Sequence, residues 1–216
     1  MTIKLIGFHA AVPTLRVITT LNELGVPFEF SPIKDREDFK SNKFFVDKNP
    51  FGKVPILIDD GYIIYESRAI SRYLVTKYQG KYNDNILIPD DIQKVATIDQ
   101  HISIEGFYYD TPISTIIFQE IYRKKIDGTG PDPEVIKNER EKLAKTLNSY
   151  EKILEGQKYL TGNDVTLADI LHYPATVYII SKGYGDLWES RPNVKRWVED
   201  LSKREVLKEI KNRLVT

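Results

Sequence analysis

The sequence predicts two unlike halves, an α/β unit followed by an all-helical one. Three observations predict this. Up to residue 79, short apolar runs alternate with stretches of helical spacing. A segment carrying Gly80, Asn83, Asn85 and Pro89 then interrupts the pattern, a composition that marks a connection. Beyond it the apolar residues recur at helical spacing almost to the C-terminus. The expected boundaries are 1–79 for the α/β domain, 80–91 for the linker and 92–216 for the helical domain.

Each element has its own warrant. Residues 4–8 form a short apolar run interrupted by Gly7, a first strand. Pro13 suits the first turn of a helix, Val17, Ile18, Leu21 and Leu24 follow at helical spacing, and Gly25 fits the stop. Residues 26–32 alternate and read as a second strand. Residues 34–43 are highly charged and read as a loop, with Phe44, Phe45 and Val46 in a short irregular helix. Residues 54–58 are an apolar strand, and Asp59-Asp60-Gly61 turns it into Tyr62-Ile-Ile-Tyr65, a hairpin. Residues 67–78 read as a helix with Ile70 and Leu74 inward. The order β-α-β-α-β-β-α fits a thioredoxin-like fold.

In the second half, Val95, Ile98, Ile102 and Phe107 suggest one helix and residues 113–126 another. Asp127-Gly-Thr-Gly-Pro-Asp-Pro133 is a loop. Residues 135–154 are strongly periodic through Leu143, Leu147 and Tyr150. Thr166-Leu-Ala-Asp169 has the form of a capping box, a threonine at the N-cap and an acid at N3. Closing helices are expected near 194–203 and 206–214.

Composition narrows the function. Lys+Arg and Asp+Glu both number 31, so the balanced charge argues against nucleic acid or an acidic membrane surface as a partner. The chain has no cysteine, which excludes disulfides, thiolate metal sites and cysteine nucleophiles. His9, His101 and His172 lie far apart without metal-ligand spacing, so no metal is expected. The N-terminus lacks the apolar run of a signal peptide, and no stretch is long enough to span a bilayer. A cytoplasmic protein is the expectation.

The chain is organised around Asn49-Pro-Phe-Gly-Lys-Val-Pro-Ile-Leu-Ile58. A turn runs into a strand that begins with Pro55, and proline cannot donate to a sheet ladder. A cis Val54–Pro55 bond would leave the Val54 main chain free to pair with an extended ligand backbone. Twelve residues after Val54 comes Glu66-Ser67-Arg68, where a helix begins, and unpaired first-turn amides make a helix start an anion site. Together they suggest a small peptide with a free carboxylate. The plainer reading is a hairpin followed by an ordinary helix.

These two motifs, in this order, resemble the glutathione-binding half of the cytosolic glutathione transferases. Residues 159–169 resemble the capping motif in the core of that family's helical domain. Phe107-Tyr-Tyr-Asp110, the loop to Pro133 and residues 139–151 are similar to its phi class. The resemblance implies a thioredoxin-like domain joined to an all-α domain, glutathione as substrate, apolar electrophilic acceptors and a homodimer, with Phe51 as a packing anchor. It also implies roles. Val54 pairs with the cysteinyl backbone beside Pro55, Glu66 receives the γ-glutamyl ammonium, Ser67 the γ-glutamyl carboxylate, and Lys40 and Lys53 the other carboxylate. Arg68 holds structure. Ile104, Phe107, Tyr108, Phe118 and Tyr122 are candidate walls of an apolar acceptor pocket, although an aromatic stripe more commonly forms core.

The sequence departs from the class at one residue. Phi-class relatives carry a serine just before the first helix, whose hydroxyl faces the glutathione sulfur. Aligned on Arg16-Val17, that position is Ala11. A free thiol has a pKa of about 8.5, so thiolate chemistry at neutral pH needs help. Another donor could serve, with Thr14, His9 or a tyrosine of the helical domain as candidates. Backbone amides near Ala11 and Val12 and the helix dipole could suffice. Or the protein binds glutathione and apolar ligands without turnover. For Thr14 the plainer reading is a hydroxyl bonding its own backbone.

Overall fold

The computed structural model describes residues 2–34 and 42–215. Strand β1 (Ile3–Gly7) leads into α1 (Val12–Glu23), β2 (Glu29–Pro32), a short α2 (Lys43–Lys48), the hairpin β3 (Ile56–Asp59) and β4 (Tyr62–Tyr65), and α3 (Ser67–Tyr78). The sheet order is β2-β1-β3-β4. β1 pairs parallel with β2 and antiparallel with β3, and β3 pairs antiparallel with β4. This is the thioredoxin-like arrangement the element order predicts.

Two strands start later than their sequence pattern suggests. β2 begins at Glu29 rather than Val26 because Val26 still belongs to the end of α1. Gly25 takes a left-handed φ of 67°, and the Val26 amide donates to the Leu21 carbonyl at 2.9 Å. Pro27 has no amide to offer the ladder. β3 begins at Ile56 because Pro55, joined to Val54 by a cis bond, has no amide for the ladder.

The helical half comprises α4 (Ile92–Ile104), α5 (Asp110–Ile117), α6 (Arg123–Asp127), α7 (Pro133–Ile153), α8 (Leu167–Ile179), α9 (Asp186–Glu189), α10 (Pro192–Ser202) and α11 (Glu205–Val215). α4, α5 and α6 follow one another without a loop, separated by π-helical turns at Glu105–Tyr109 and Phe118–Tyr122. The first π-turn has a visible cause. Pro112 sits at the start of α5, and a helical proline cannot donate to the carbonyl four residues back. That carbonyl, of Tyr108, accepts instead from the Thr146 hydroxyl of α7 at 3.0 Å.

One large core runs from the sheet through α1 and α3 into the helical half without a break, including Leu5, Leu57, Leu15, Ile70, Ile113 and Leu171. A smaller cluster of Ile6, Ile33 and Ile56 fills the other face of the sheet. The capping box is formed: Asp169 accepts from the Thr166 amide at 2.9 Å and from the Trp197 indole at 2.9 Å. One turn on, His172 is fully buried. Its Nδ1–H donates to the Ala168 carbonyl at 2.6 Å, so the neutral ring's Nε2 accepts from the Tyr150 hydroxyl at 2.8 Å. Burial disfavours its charged form and pushes its pKa down to about 3. Among the described residues, no helix is long and apolar enough to cross a membrane.

Candidate active site

A cavity of about 1080 Å³ opens between the two halves. On one wall stand Phe8, Ala10, Ala11, Val12 and Pro13 from the end of β1 and the start of α1, with Lys34 and the turn Phe51–Val54 beside them. On the other stand Asp110, Ile113, Ser114 and Ile117 of α5, Phe118 and Tyr122 of the second π-turn, Lys125 and Ile126 of α6, and Tyr178 of α8. A shallower depression of about 590 Å³ lies where the end of α1 meets α11 and holds none of the candidate residues.

The turn is held from within by Asn49, which is almost fully buried. Its Oδ1 accepts from the Phe51 amide at 3.1 Å and its Nδ2 donates to the Lys53 carbonyl at 2.7 Å. Gly52 has a φ of 58°, a conformation that excludes most side chains at this tight bend. The result presents Lys53 and half-buried Val54 to the cavity. No hydrogen bond is made to the Val54 main chain among the described residues.

Ile56 pairs with Tyr65 at the end of the hairpin, so Val54, two residues before Ile56, and Ser67, two after Tyr65, both lie beyond that same end. Glu66 bridges strand and helix with a φ of 71°, a conformation costly for a side-chain-bearing residue. It is exposed, whereas Ser67, the first residue of α3, is 5% exposed. Neither lines the large cavity; they follow β4 at the end of the hairpin where Val54–Pro55 leads into β3. Lys40 lies outside the described residues.

At the α1 end, Ala11 is the N-cap residue and contributes only a methyl. The Val12 and Thr14 amides of the first turn take no partner among the described residues, and Pro13 has none to give. Thr14 is the first correction to the sequence reading. It is fully buried and points away from the cavity, against Gly7. A Cβ built on Gly7 would stand 2.5 Å from the Thr14 Oγ1, so the hydroxyl occupies space that glycine leaves. It bonds no backbone group either: among the described residues its Oγ1 has no partner. His9 packs edge-on against Phe30 at 4.8 Å and does not line the cavity.

The helical wall brings the second correction. Phe118 and Tyr122 line the cavity; Ile104, Phe107 and Tyr108 do not. Ile104 packs against the core, and Phe107 and Tyr108 are 75% and 63% exposed. The inward positions of that turn are taken by Glu105 and Tyr109, both fully buried. The lining residues 110, 113, 114, 117, 118, 122, 125 and 126 instead form a stripe at spacings of three and four, the signal that would have found them.

Sequence reasoning gave Arg68 a structural role but missed its partners, the charged cluster behind Asp110. Arg16 Nη2 contacts Glu105 at 2.7 Å and Asp110 at 2.5 Å. Arg68 Nη2 contacts Asp110 at 3.0 Å, and its Nε donates to Glu105. Arg16 Nε donates to the Leu171 carbonyl at 3.1 Å. Two arginines of the first half thus meet two carboxylates of the second. Burial pushes the Asp110 carboxyl up, but the Arg16 and Arg68 charges outweigh it and hold it below the usual range. Glu105, more deeply buried, is raised by burial despite the same arginines. Among the described residues, no group of three or more His, Asp or Glu could hold a metal.

The arrangement is a peptide-presenting edge and a helix N-terminus facing a mostly apolar helical wall. Comparison with known proteins gives it a family. Residues 5–82 match the family described as "Glutathione S-transferase, N-terminal domain", and residues 111–205 match "Glutathione S-transferase, C-terminal domain". The chain is 38% identical over 208 residues to glutathione S-transferase hmp2 of Hypomyces subiculosus, covering 95% of each. It superposes on the crystal structure of glutathione transferase F7 from Populus trichocarpa with a TM-score of 0.90, at 33% identity and 99% coverage of both chains. It is likewise similar to glutathione S-transferase I from mais in complex with atrazine glutathione conjugate, with a TM-score of 0.88, 29% identity, and coverage of 99% of this chain and 98% of that one. The chain therefore belongs to the glutathione S-transferase family and is a phi-like glutathione transferase.

Proposed function

We propose that the protein conjugates the glutathione sulfur to apolar electrophiles or spends it on organic hydroperoxides, as a detoxifying cytoplasmic homodimer. The observation that carries this reading is one cavity walled by Ala11, Val12 and Val54 on one side and by Ile113, Ile117 and Phe118 on the other. Glutathione lies along the first wall. Its cysteinyl main chain pairs with Val54 beside cis Pro55, its γ-glutamyl carboxylate meets Ser67 and the start of α3, and its γ-glutamyl ammonium meets Glu66. Lys53 and Lys40 take the glycyl carboxylate. Residues 1–79 thus serve as the glutathione domain, with 80–91 as linker and 92–216 as the acceptor domain.

This pose sets the sulfur at the start of α1. With a methyl at Ala11 and Thr14 facing Gly7, no side-chain hydroxyl of α1 reaches it. The amides of Val12 and Thr14, at the positive end of a helix of 12 residues, favour the thiolate. In conjugation the thiolate forms a carbon–sulfur bond as the leaving group departs with its electron pair, and the thiol proton goes to solvent. With a hydroperoxide the sulfur takes one oxygen, the alcohol leaves, and a second glutathione closes the disulfide with release of water. The family's transferase relatives weigh against storage without turnover as the role.

The test pairs calorimetry of glutathione with turnover of a chlorodinitrobenzene. Binding with turnover is expected; no binding at millimolar glutathione overturns the site, and binding without turnover overturns the catalytic role. For the dimer, Phe51 at 67% exposure is the anchor, and sedimentation of a 25.0 kDa species at micromolar concentration would reject it.

A further inference from the structure

We infer that the acceptor side of the cavity is built for electrophiles carrying an anionic group, a carboxylate on an apolar aromatic body. This rests on the glutathione reading, because it concerns the space that glutathione leaves. Lys34, Lys53 and Lys125 line the cavity against one acid, Asp110. Lys53 is committed to glutathione's own carboxylate. Lys34 and Lys125 remain, one on each wall.

Nothing among the described residues neutralises them. Asp110 is held by Arg16 and Arg68. Near Lys125, Asp127 and Asp132 both lie 3.8 Å from Arg123, and Glu120 accepts from the Tyr184 hydroxyl at 2.7 Å. Neither Lys34 nor Lys125 makes an ion pair with a described residue. The backbone leading into exposed Lys34 is held: the preceding Ile33 is buried and its amide donates to the Gly7 carbonyl at 3.0 Å, beside the start of α1. Between the lysines the wall is apolar, with Pro13, Ile113, Ile117 and Phe118.

An apolar surface flanked by two ammonium groups that make no ion pair among the described residues attracts a flat apolar body with a negative end. The charges raise the encounter rate and hold the anion where water is partly displaced. A purely neutral acceptor leaves both lysines to solvent and gains nothing from them.

The experiment uses two electrophiles with one reactive centre, a chlorodinitrobenzoate and the matching chlorodinitrobenzamide, chlorine para to the carbonyl. In each, a carbon–sulfur bond forms, chloride leaves with the electron pair and the thiol proton goes to solvent. Each kcat/KM is divided by the uncatalysed rate with glutathione. The benzoate is expected to lead by about three- to thirtyfold, the span of two partly exposed ion pairs. The lead should shrink as salt rises and vanish in Lys34→Met/Lys125→Met. A benzoate no better than the amide, or a lead that survives the double substitution, overturns the inference. The two glutathione conjugates, made chemically and titrated by calorimetry, give the same comparison without turnover. Equal affinity for the two conjugates sinks this inference alone, whereas failure to bind glutathione at all sinks the reading beneath it.

Discussion

The two walls of the cavity recognise by different means. In the proposed glutathione pose, the wall from the first half offers mainly main chain, the Val54 edge and the first amides of α1, with the start of α3 beside it. The wall from the helical half works through side chains at helical spacing, from Asp110 to Ile126. A main-chain wall is less easily rewritten by one substitution, because every residue but proline carries the same amide and carbonyl. A side-chain wall changes with each substitution. The fold therefore pairs a fixed partner site with an adjustable one. Behind them, Arg16 and Arg68 of the first half grip Glu105 and Asp110 of the second.

The sharpest way to break the pairing is at that grip. Glu105→Leu leaves two arginines facing one acid in a buried place, and it should cost about 3–5 kcal/mol of stability by urea denaturation. A loss below about 1 kcal/mol would mean that the arginines find solvent and the grip does not hold the walls.

The next effect belongs to the first wall alone. Ser67→Ala should weaken glutathione binding by roughly 1–3 kcal/mol, as a hydrogen bond to a charged group is lost. Stability should stay close to the parent's, so calorimetry and denaturation together separate ligand contact from folding. An unchanged affinity would remove Ser67 from the site.

Ala11→Ser tests how the sulfur is activated. A hydroxyl donating to sulfur favours the thiolate, and one pKa unit is worth about 1.4 kcal/mol, or up to about tenfold more thiolate below the thiol pKa. Reduced nucleophilicity takes back part of the gain. The pH–rate profile should move to lower pH in the variant. A parent profile already well below that of free glutathione, with no further move, would show that the α1 amides suffice.

The smallest effect concerns Thr14. Its buried hydroxyl has no partner among the described residues, so Thr14→Val removes a polar atom at nearly constant volume. A gain of about 1 kcal/mol in stability is expected, with conjugation unaltered. A fall in conjugation would return Thr14 to the list of thiol donors.

The same contrast decides how much was readable beforehand. The first wall comes from contiguous words, Asn49 to Ile58 and Glu66-Ser67, and local turn chemistry set their geometry. Ala11 was found as a departure because Arg16-Val17, a few residues on, fixed the alignment. The helical wall depends on phase. Phe107 sits three residues before Asp110, in step on an ideal helix. The π-turn at Glu105–Tyr109 slips in an extra residue and turns the face by about 100°, so Phe107 and Tyr108 face out while Phe118 and Tyr122 line the cavity. The grip was illegible for another reason: Arg16 meets acids 89 and 94 residues away, and no local pattern pairs charges at that distance.

One buried ring makes unfolding a proton-uptake reaction. His172 in the folded core holds no proton until the pH falls to about 3, whereas its ordinary value is 6.5. Above 6.5 both states leave the ring neutral and it costs nothing. Between 6.5 and about 3 the unfolded chain binds a proton that the folded chain refuses, so acid favours unfolding. Each unit of acidification across that window should remove up to about 1.4 kcal/mol. Urea denaturation of the parent and of His172→Gln at several pH values reads this directly: the variant starts less stable but should lose less per unit. Equal slopes would place the acid sensitivity elsewhere. As acid loosens this protein, the weak point is then an imidazole at the centre of its helical half, packed on Tyr109 just behind the cavity-lining Asp110.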